Sequence, residues 1–186
     1  MTARSYLYSE DSALMGSFLS RVQSSGSFLE IGTGMGSNLK LVDARKMFQL
    51  IVGTDLLELF GAKKEHSRSV ELIQTDRASC FRPNIFDLVV FNPPYVPTNE
   101  VSDITTDGGP GGVQVPITFL SDALNVLRPQ GEIVMLLSSE DSIEEIEDFC
   151  HARNLEMRRI EEKRLFFESL FLYCITRSRK IEIAEE

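Results

Sequence analysis

The sequence predicts a doubly wound α/β fold, a seven-stranded, mostly parallel sheet with a C-terminal antiparallel hairpin. Two observations point there. Short, nearly continuous apolar runs alternate with longer amphipathic stretches, as strands buried on both faces alternate with crossover helices. The last two runs are joined by a short polar link, whereas a parallel pair needs a crossover of roughly a dozen residues or more, so those two strands are antiparallel. No repeat, low-complexity tract or long linker divides the 186 residues, so a single domain over 1–186 is expected.

The elements follow in order. A helix from Glu10 to Gln23 precedes the first strand, Ser27 to Ile31. A helix from Ser37 to Lys46 leads to the second strand, Phe48 to Gly53, and a helix from Leu57 to Ser67 to the third, Val70 to Gln74. The fourth strand is Phe86 to Phe91. After a long loop comes a helix from Pro116 to Leu127, stopped by Arg128-Pro129-Gln130-Gly131. The fifth strand, Glu132 to Leu137, precedes a helix from Ser142 to Arg153, with Ser142 as N-cap and Glu145 placed for a capping box. The hairpin strands are Leu155 to Glu161 and Ser169 to Thr176.

Composition narrows the function classes. Hydrophobic residues are 42% and charged residues 25%, ordinary for a globular protein, and no apolar run approaches the roughly 20 residues of a membrane span. The N-terminus, Met1 to Tyr6, lacks the apolar core of a signal peptide, so cytoplasm, or nucleus, is the expected compartment. Cys80, Cys150 and Cys174 are far apart and read as reduced small hydrophobes. With only His66 and His151 as histidines, no metal is expected in this chain. The net charge of −9 disfavours direct nucleic-acid binding, which rests on neutralising phosphates with Lys and Arg.

Four strand ends carry the chemistry. Gly32-Thr33-Gly34-Met35-Gly36 follows the first strand, where glycine lets the backbone turn sharply and approach a ligand. The helix N-terminus after it favours a carboxylate, and Glu30 at the strand end can accept from an ammonium group. Asp55, about twenty residues on, suits the hydroxyls of a ribose, or else the N-cap of the next helix. Asp76 after the third strand can accept from an adenine amine, with Arg77 framing the ring. The fourth strand ends in Asn92-Pro93-Pro94-Tyr95. There the Asn92 Oδ1 and the Pro93 carbonyl can each accept one N–H of a planar –NH2 group, the prolines fix φ, and Tyr95 offers a flat face. Such a clamp orients the nitrogen lone pair for methyl transfer. Near the N-terminus, Ser9 or Asp11 can cap the first helix, or Asp11 and Ser12 can fold over a cofactor. The loop from Asp103 to Val115 looks too glycine-rich to be rigid and reads as a rim or lid that orders on substrate binding.

The series Glu10-Asp11-Ser12, Leu29-Glu30-Ile31-Gly32-Thr33-Gly34, Gly53-Thr54-Asp55, Phe86 to Pro97 and Asp107 to Gly112 covers most of the chain in order. It resembles the HemK-like class I S-adenosylmethionine-dependent methyltransferases, most closely the eukaryotic and archaeal release-factor glutamine N5-methyltransferase branch. Only 26 residues precede the first strand, as expected for the short branch without the bacterial helical domain. The chain departs from the family at Tyr8-Ser9, where a proline is usual, and at Thr105-Thr106, where an aromatic is often seen.

The resemblance implies N5-methylation of the glutamine in the Gly-Gly-Gln motif of the class I release factor, with S-adenosylhomocysteine as product. It implies that Asn92, Pro93, Pro94 and Tyr95 hold the substrate glutamine, with Asn92, Pro93 and Tyr95 catalytic. The cofactor set it implies is Ser12, Glu30, Gly32, Thr33, Gly34, Asp55, Leu56, Asp76, Arg77 and Asn92. It further implies a heterodimer with a small zinc-binding activator subunit, and a release factor complexed with the GTP-bound class II factor. The third strand is the expected sheet edge, where Val70, Leu72 and Ile73 can bury against the activator by strand addition. The alternatives are an adenine exocyclic amine of DNA or RNA, which the same turn serves, a protein lysine, or a non-catalytic binding subunit.

Overall fold

A computed structural model describes residues 10–57 and 69–178. One sheet of seven strands organises them, in the order β3-β2-β1-β4-β7-β9-β8. These are β1 (Gly26–Ile31), β2 (Phe48–Asp55), β3 (Val70–Gln74), β4 (Phe86–Phe91), β7 (Leu127–Ser138), β8 (Leu155–Arg164) and β9 (Ser169–Arg177). The first five are mutually parallel, while β9 runs antiparallel to both β7 and β8. A minor pair, β5 (Val96–Pro97) and β6 (Asp107–Gly109), lies beyond β4.

Alternation of side chains through the central strands divides the core in two. Leu29, Val89, Phe91, Ile133 and Met135 face α3 (Gln114–Val126) and α4 (Ile143–His151). Phe28, Leu88, Val90, Val134 and Leu136 face α1 (Glu10–Leu19) and α2 (Ser37–Arg45). Both faces are covered, which is why β4 reads as an unbroken apolar run. Its single carboxylate, Asp87, accepts from the Ser27 amide and hydroxyl at 2.8 and 2.7 Å and from Arg128 at 2.6 Å. It thus ties the entry ends of β1, β4 and β7 together.

Several expectations are corrected. The first helix stops at Leu19, and β2 continues two residues to Asp55. Leu127 to Gly131 is strand, not helix end and turn, because Leu127 pairs with Phe86 and the register then shifts to accommodate the extra residues. Ser142 precedes α4 but makes no side-chain cap; the Glu145 amide bonds to its carbonyl at 3.0 Å, so no capping box forms. Cys150 and Cys174 are buried, but Cys80 is exposed. The helix expected over 57–67 falls mostly outside the described residues.

The glycine-rich segment is not loose. A Cβ at Gly108 would lie 2.6 Å from the Gly112 carbonyl oxygen, and one at Gly112 would lie 2.4 Å from that of Tyr95. Asp107 is buried and accepts the Ser102 and Asp103 amides at 2.9 and 2.8 Å. Glycine serves close backbone packing here, and the segment is folded against the Asn92–Tyr95 turn.

Candidate active site

The carboxyl ends of β1, β2, β3 and β4 meet where the strand order reverses, at the boundary between β1 and β4. In open α/β sheets such a switch point opens a crevice outside the strand ends. Backbone bonds fix these ends in series. The Gly32 and Thr33 amides donate to the Thr54 carbonyl at 2.8 and 2.9 Å, and the Thr75 amide donates to the Asp55 carbonyl at 2.9 Å.

In the glycine turn, Gly32, Gly34 and Gly36 have φ of 74°, 53° and 71°, left-handed values that disfavour side chains. A Cβ at Gly34 would meet nothing within 4 Å, and one at Gly32 only the Phe119 ring at 4.0 Å. The turn therefore faces open space, and its glycines serve backbone shape and access rather than internal packing. Beneath it, buried Glu30 accepts from the Thr33 hydroxyl at 2.7 Å and the Asn38 amide at 2.8 Å. Burial pushes the Glu30 carboxyl up to about 7, overcoming those two hydrogen bonds, and the charge of Asp55 adds to the rise.

Asp55 is bonded to the backbone on both sides of its carboxylate. Its Oδ2 accepts the Gly34 amide at 2.8 Å and its Oδ1 accepts the Leu57 amide at 2.9 Å. It is a turn residue whose half-buried carboxylate braces the glycine turn. Leu56 beside it is 50% exposed, an apolar surface at the crevice. Asp76 and Arg77 are engaged with each other at 2.8 Å, and Arg77 also pairs with Asp122 at 2.6 Å. The Arg77 guanidinium lies 6.0 Å from the Phe119 ring centre.

At β4, Asn92 is exposed, Pro93 buried, and Pro94 and Tyr95 half-buried. The Asn92 Nδ2 donates to Asp11 Oδ2 at 3.1 Å, and the Tyr95 hydroxyl donates to the same oxygen at 3.3 Å. Burial pushes the Tyr95 hydroxyl well above its ordinary value, and the charges of Asp11, Glu168 and Asp141 add to it, so Tyr95 remains a donor. Asp11 thus selects one orientation of the Asn92 amide, in which Oδ1 is directed away from Asp11 and left to accept. Ser12 lies next to Asp11 on α1.

The structure gathers Glu30, Thr33, Gly34 and Asp55 into one bonded group and Asn92, Tyr95 and Asp11 into another. Sequence reasoning missed Phe119, whose signal was only an aromatic on an amphipathic helix, and Asp122, the second partner of Arg77. It weighed Asp11 against a helix cap without a reason to connect it to Asn92.

No family model matches the chain. A putative protein N5-glutamine methyltransferase of Methanocaldococcus jannaschii is 32% identical over 122 residues, 60% of this chain. A release factor glutamine methyltransferase of Caulobacter vibrioides is 27% identical over 134 residues, 62% of this chain. The matched stretches span 61% and 46% of those two relatives. Among solved structures, the E. cuniculi Mtq2–Trm112 complex, responsible for methylation of the eRF1 translation termination factor, superimposes with a TM-score of 0.74 at 26% identity. That match covers 93% of this chain and 98% of the other. The chain has the class I methyltransferase fold, and it is similar in sequence to protein glutamine methyltransferases and in structure to a complex that methylates a translation termination factor.

Proposed function

We propose that the chain is an S-adenosylmethionine-dependent methyltransferase that modifies N5 of the glutamine in the Gly-Gly-Gln motif of a class I release factor. The observation that carries this reading is the clamp at β4. With Nδ2 held by Asp11, the Asn92 Oδ1 is left to accept one N–H of a carboxamide, and the Pro93 carbonyl supplies the natural second acceptor. Two acceptors spaced by one peptide unit suit a planar –NH2 and make less use of a flexible ammonium.

The residues at the crevice fit the cofactor. The open glycine turn admits a ligand backbone, Glu30 can answer its ammonium group, and Asp55 retains acceptor capacity for ribose hydroxyls. When bound, S-adenosylmethionine supplies an electrophilic methyl group on a sulfonium. An amide nitrogen is a weak nucleophile because its lone pair is delocalised. Asn92 and Pro93 hold its hydrogens so that the lone pair faces the methyl and the developing positive charge is stabilised. Tyr95 presents its ring to the planar amide, and the N–H proton that methylation would make acidic would leave to solvent from the hydrogen bond that the Asn92 Oδ1 or the Pro93 carbonyl accepts, so no base is needed in advance.

Glu30 gives a pH test. The folded chain keeps a proton on Glu30 between pH 4.5 and about 7 that the unfolded chain has lost, so this group's contribution to stability falls as pH rises through that window. A cationic ligand favours the ionised form. The cofactor Kd is therefore expected to tighten as pH rises from 6 to 8, and Glu30→Gln to flatten that dependence. Titration calorimetry across the range checks it; an identical slope in the variant removes Glu30 from the ammonium site.

For the partner, we infer a small zinc-binding activator subunit added at β3, with the release factor presented alongside its GTP-bound class II companion in the cytoplasm. β3 pairs only with β2 among the described residues. Val70 is already buried in this chain's own core, however, which leaves Leu72 and Ile73, both half-buried, and the strand's backbone edge for a partner. The test of the whole reading is methyl transfer to the release factor with activator and GTP-loaded companion present, read by mass spectrometry of the Gly-Gly-Gln peptide. One added methyl on that glutamine supports it. Cofactor binding without transfer overturns the substrate assignment.

A further inference from the structure

We propose that Phe166 and Phe167, at the tip of the β8–β9 hairpin, are an anchor on the active-site rim that docks the protein carrying the acceptor side chain. The inference rests on the protein-substrate reading given above. The two rings are 93% and 89% exposed and pack against each other edge to face, with centres 4.7 Å apart. No other large apolar side chain among the described residues is as exposed. The turn does not require them. The Leu165 amide donates to the Glu168 carbonyl at 2.8 Å, leaving Phe166 and Phe167 as its two central residues. Two-residue turns favour glycine, asparagine and aspartate, and neither phenylalanine has a positive φ. Two adjacent aromatics standing in water are costly unless something covers them.

Their position says what does. β7 runs parallel to β4 and β9 antiparallel to β7, so the turn before Ser169 stands at the same edge of the sheet as Asn92. The turn is fastened there. The Ser138 hydroxyl donates to Glu168 at 2.5 Å, the Ser169 amide to the Ser139 hydroxyl at 3.0 Å, and Lys163 pairs with Glu10 on the helix that carries Asp11. Glu168 is close enough to act on the Tyr95 hydroxyl, and Leu165 and Tyr95 pack against the same apolar cluster. A macromolecule whose side chain reaches Asn92 therefore passes over the turn. Charge defines its chemistry. Lys163 and Arg164 are paired within the chain, to Glu10 and Glu162, whereas Asp11, Glu140 and Glu168 gather at this edge around the buried Asp141. The occupant is a protein surface with an apolar pocket bordered by basic side chains.

Replacing both rings, Phe166→Ser with Phe167→Ser, tests the assignment, because side chains this exposed are not needed for folding. Steady-state kinetics on the release factor are expected to show KM raised roughly ten- to a hundredfold, the loss typical of an aromatic hot spot. The kcat at saturation, the cofactor Kd and the rate on a short Gly-Gly-Gln peptide are expected to stay within about twofold. Phe166→Leu with Phe167→Leu is expected to recover much of the affinity. An unchanged KM in an enzyme whose wild type methylates the release factor overturns the anchor alone. So does a wild-type dimer, seen by light scattering, that the serine pair dissolves, since the occupant would then be a second copy. A wild type that binds cofactor but transfers nothing to the release factor overturns the proposed function and the anchor together.

Discussion

Asn92→Ala is expected to lower kcat for methyl transfer by roughly two to three orders of magnitude, the scale found when a group that meets developing charge is removed. The cofactor Kd is expected to move by no more than about threefold. The alanine removes the one side-chain acceptor at the end of β4 and leaves the Pro93 carbonyl alone to orient the acceptor nitrogen. A single contact does not fix a plane, so the lone pair is no longer held in line with the methyl. The fold has little to lose, since Asn92 is exposed and, among the described residues, its side chain is hydrogen-bonded to Asp11 alone. Asp11→Ala separates orientation from presence. Without the carboxylate at 3.1 Å the amide can turn over and present Nδ2, a donor, to another donor. Its expected cost is roughly tenfold in kcat, smaller than that of Asn92→Ala because the amide still samples the productive orientation. Single-turnover measurements at saturating cofactor check both. If Asn92→Ala keeps most of its rate, the clamp is not the source of catalysis.

Much of this was legible because the sheet is buried on both faces. Strands such as Phe86–Phe91 must then be apolar throughout, and a strand bounded by a glycine turn or a proline turn announces its own end. The antiparallel hairpin was legible from link length alone. What escaped depends on contacts between residues distant in sequence. Arg128-Pro129-Gln130-Gly131 carries a turn signal, yet it lies in β7 because Asp87 holds Arg128 and a Cβ at Gly131 would sit 2.9 Å from the Asp87 carbonyl. The Asp107–Gly112 segment has the composition of a flexible loop, and only the approach of Gly112 to the Tyr95 carbonyl shows that glycine is there for closeness. At the site, the strand-end residues were readable by position, since each follows an apolar run at a fixed offset. Asp11 was not, because it acts across 81 positions of sequence on Asn92.

Asp55→Ala is expected to raise the cofactor Kd by roughly a hundredfold or more while kcat at saturating cofactor changes by less than about threefold. Hydrogen bonds to a charged acceptor contribute about 1.5–3 kcal/mol each, and a ribose presents two hydroxyls to one carboxylate. The same carboxylate holds the Gly34 amide at 2.8 Å, so its loss also loosens the turn that must stay open to the ligand. These two routes to weaker binding can be told apart. Asp55→Asn keeps a single acceptor oxygen, and one orientation of the amide still serves Gly34 or Leu57, so a variant that binds nearly as well as wild type would mean the carboxylate works by shaping the turn. One that binds as poorly as Asp55→Ala would mean that the charge itself meets the ligand. Isothermal titration gives the affinities and thermal melting the structural cost, expected to be a few degrees for a pair of half-exposed turn bonds. An unchanged Kd in Asp55→Ala would leave Asp55 as a turn residue only and shift the ribose contact elsewhere on the crevice. Because Asn92 and Asp55 stand at the ends of different strands with no hydrogen bond between their groups, the two substitutions together are expected to multiply, one through kcat and the other through Kd.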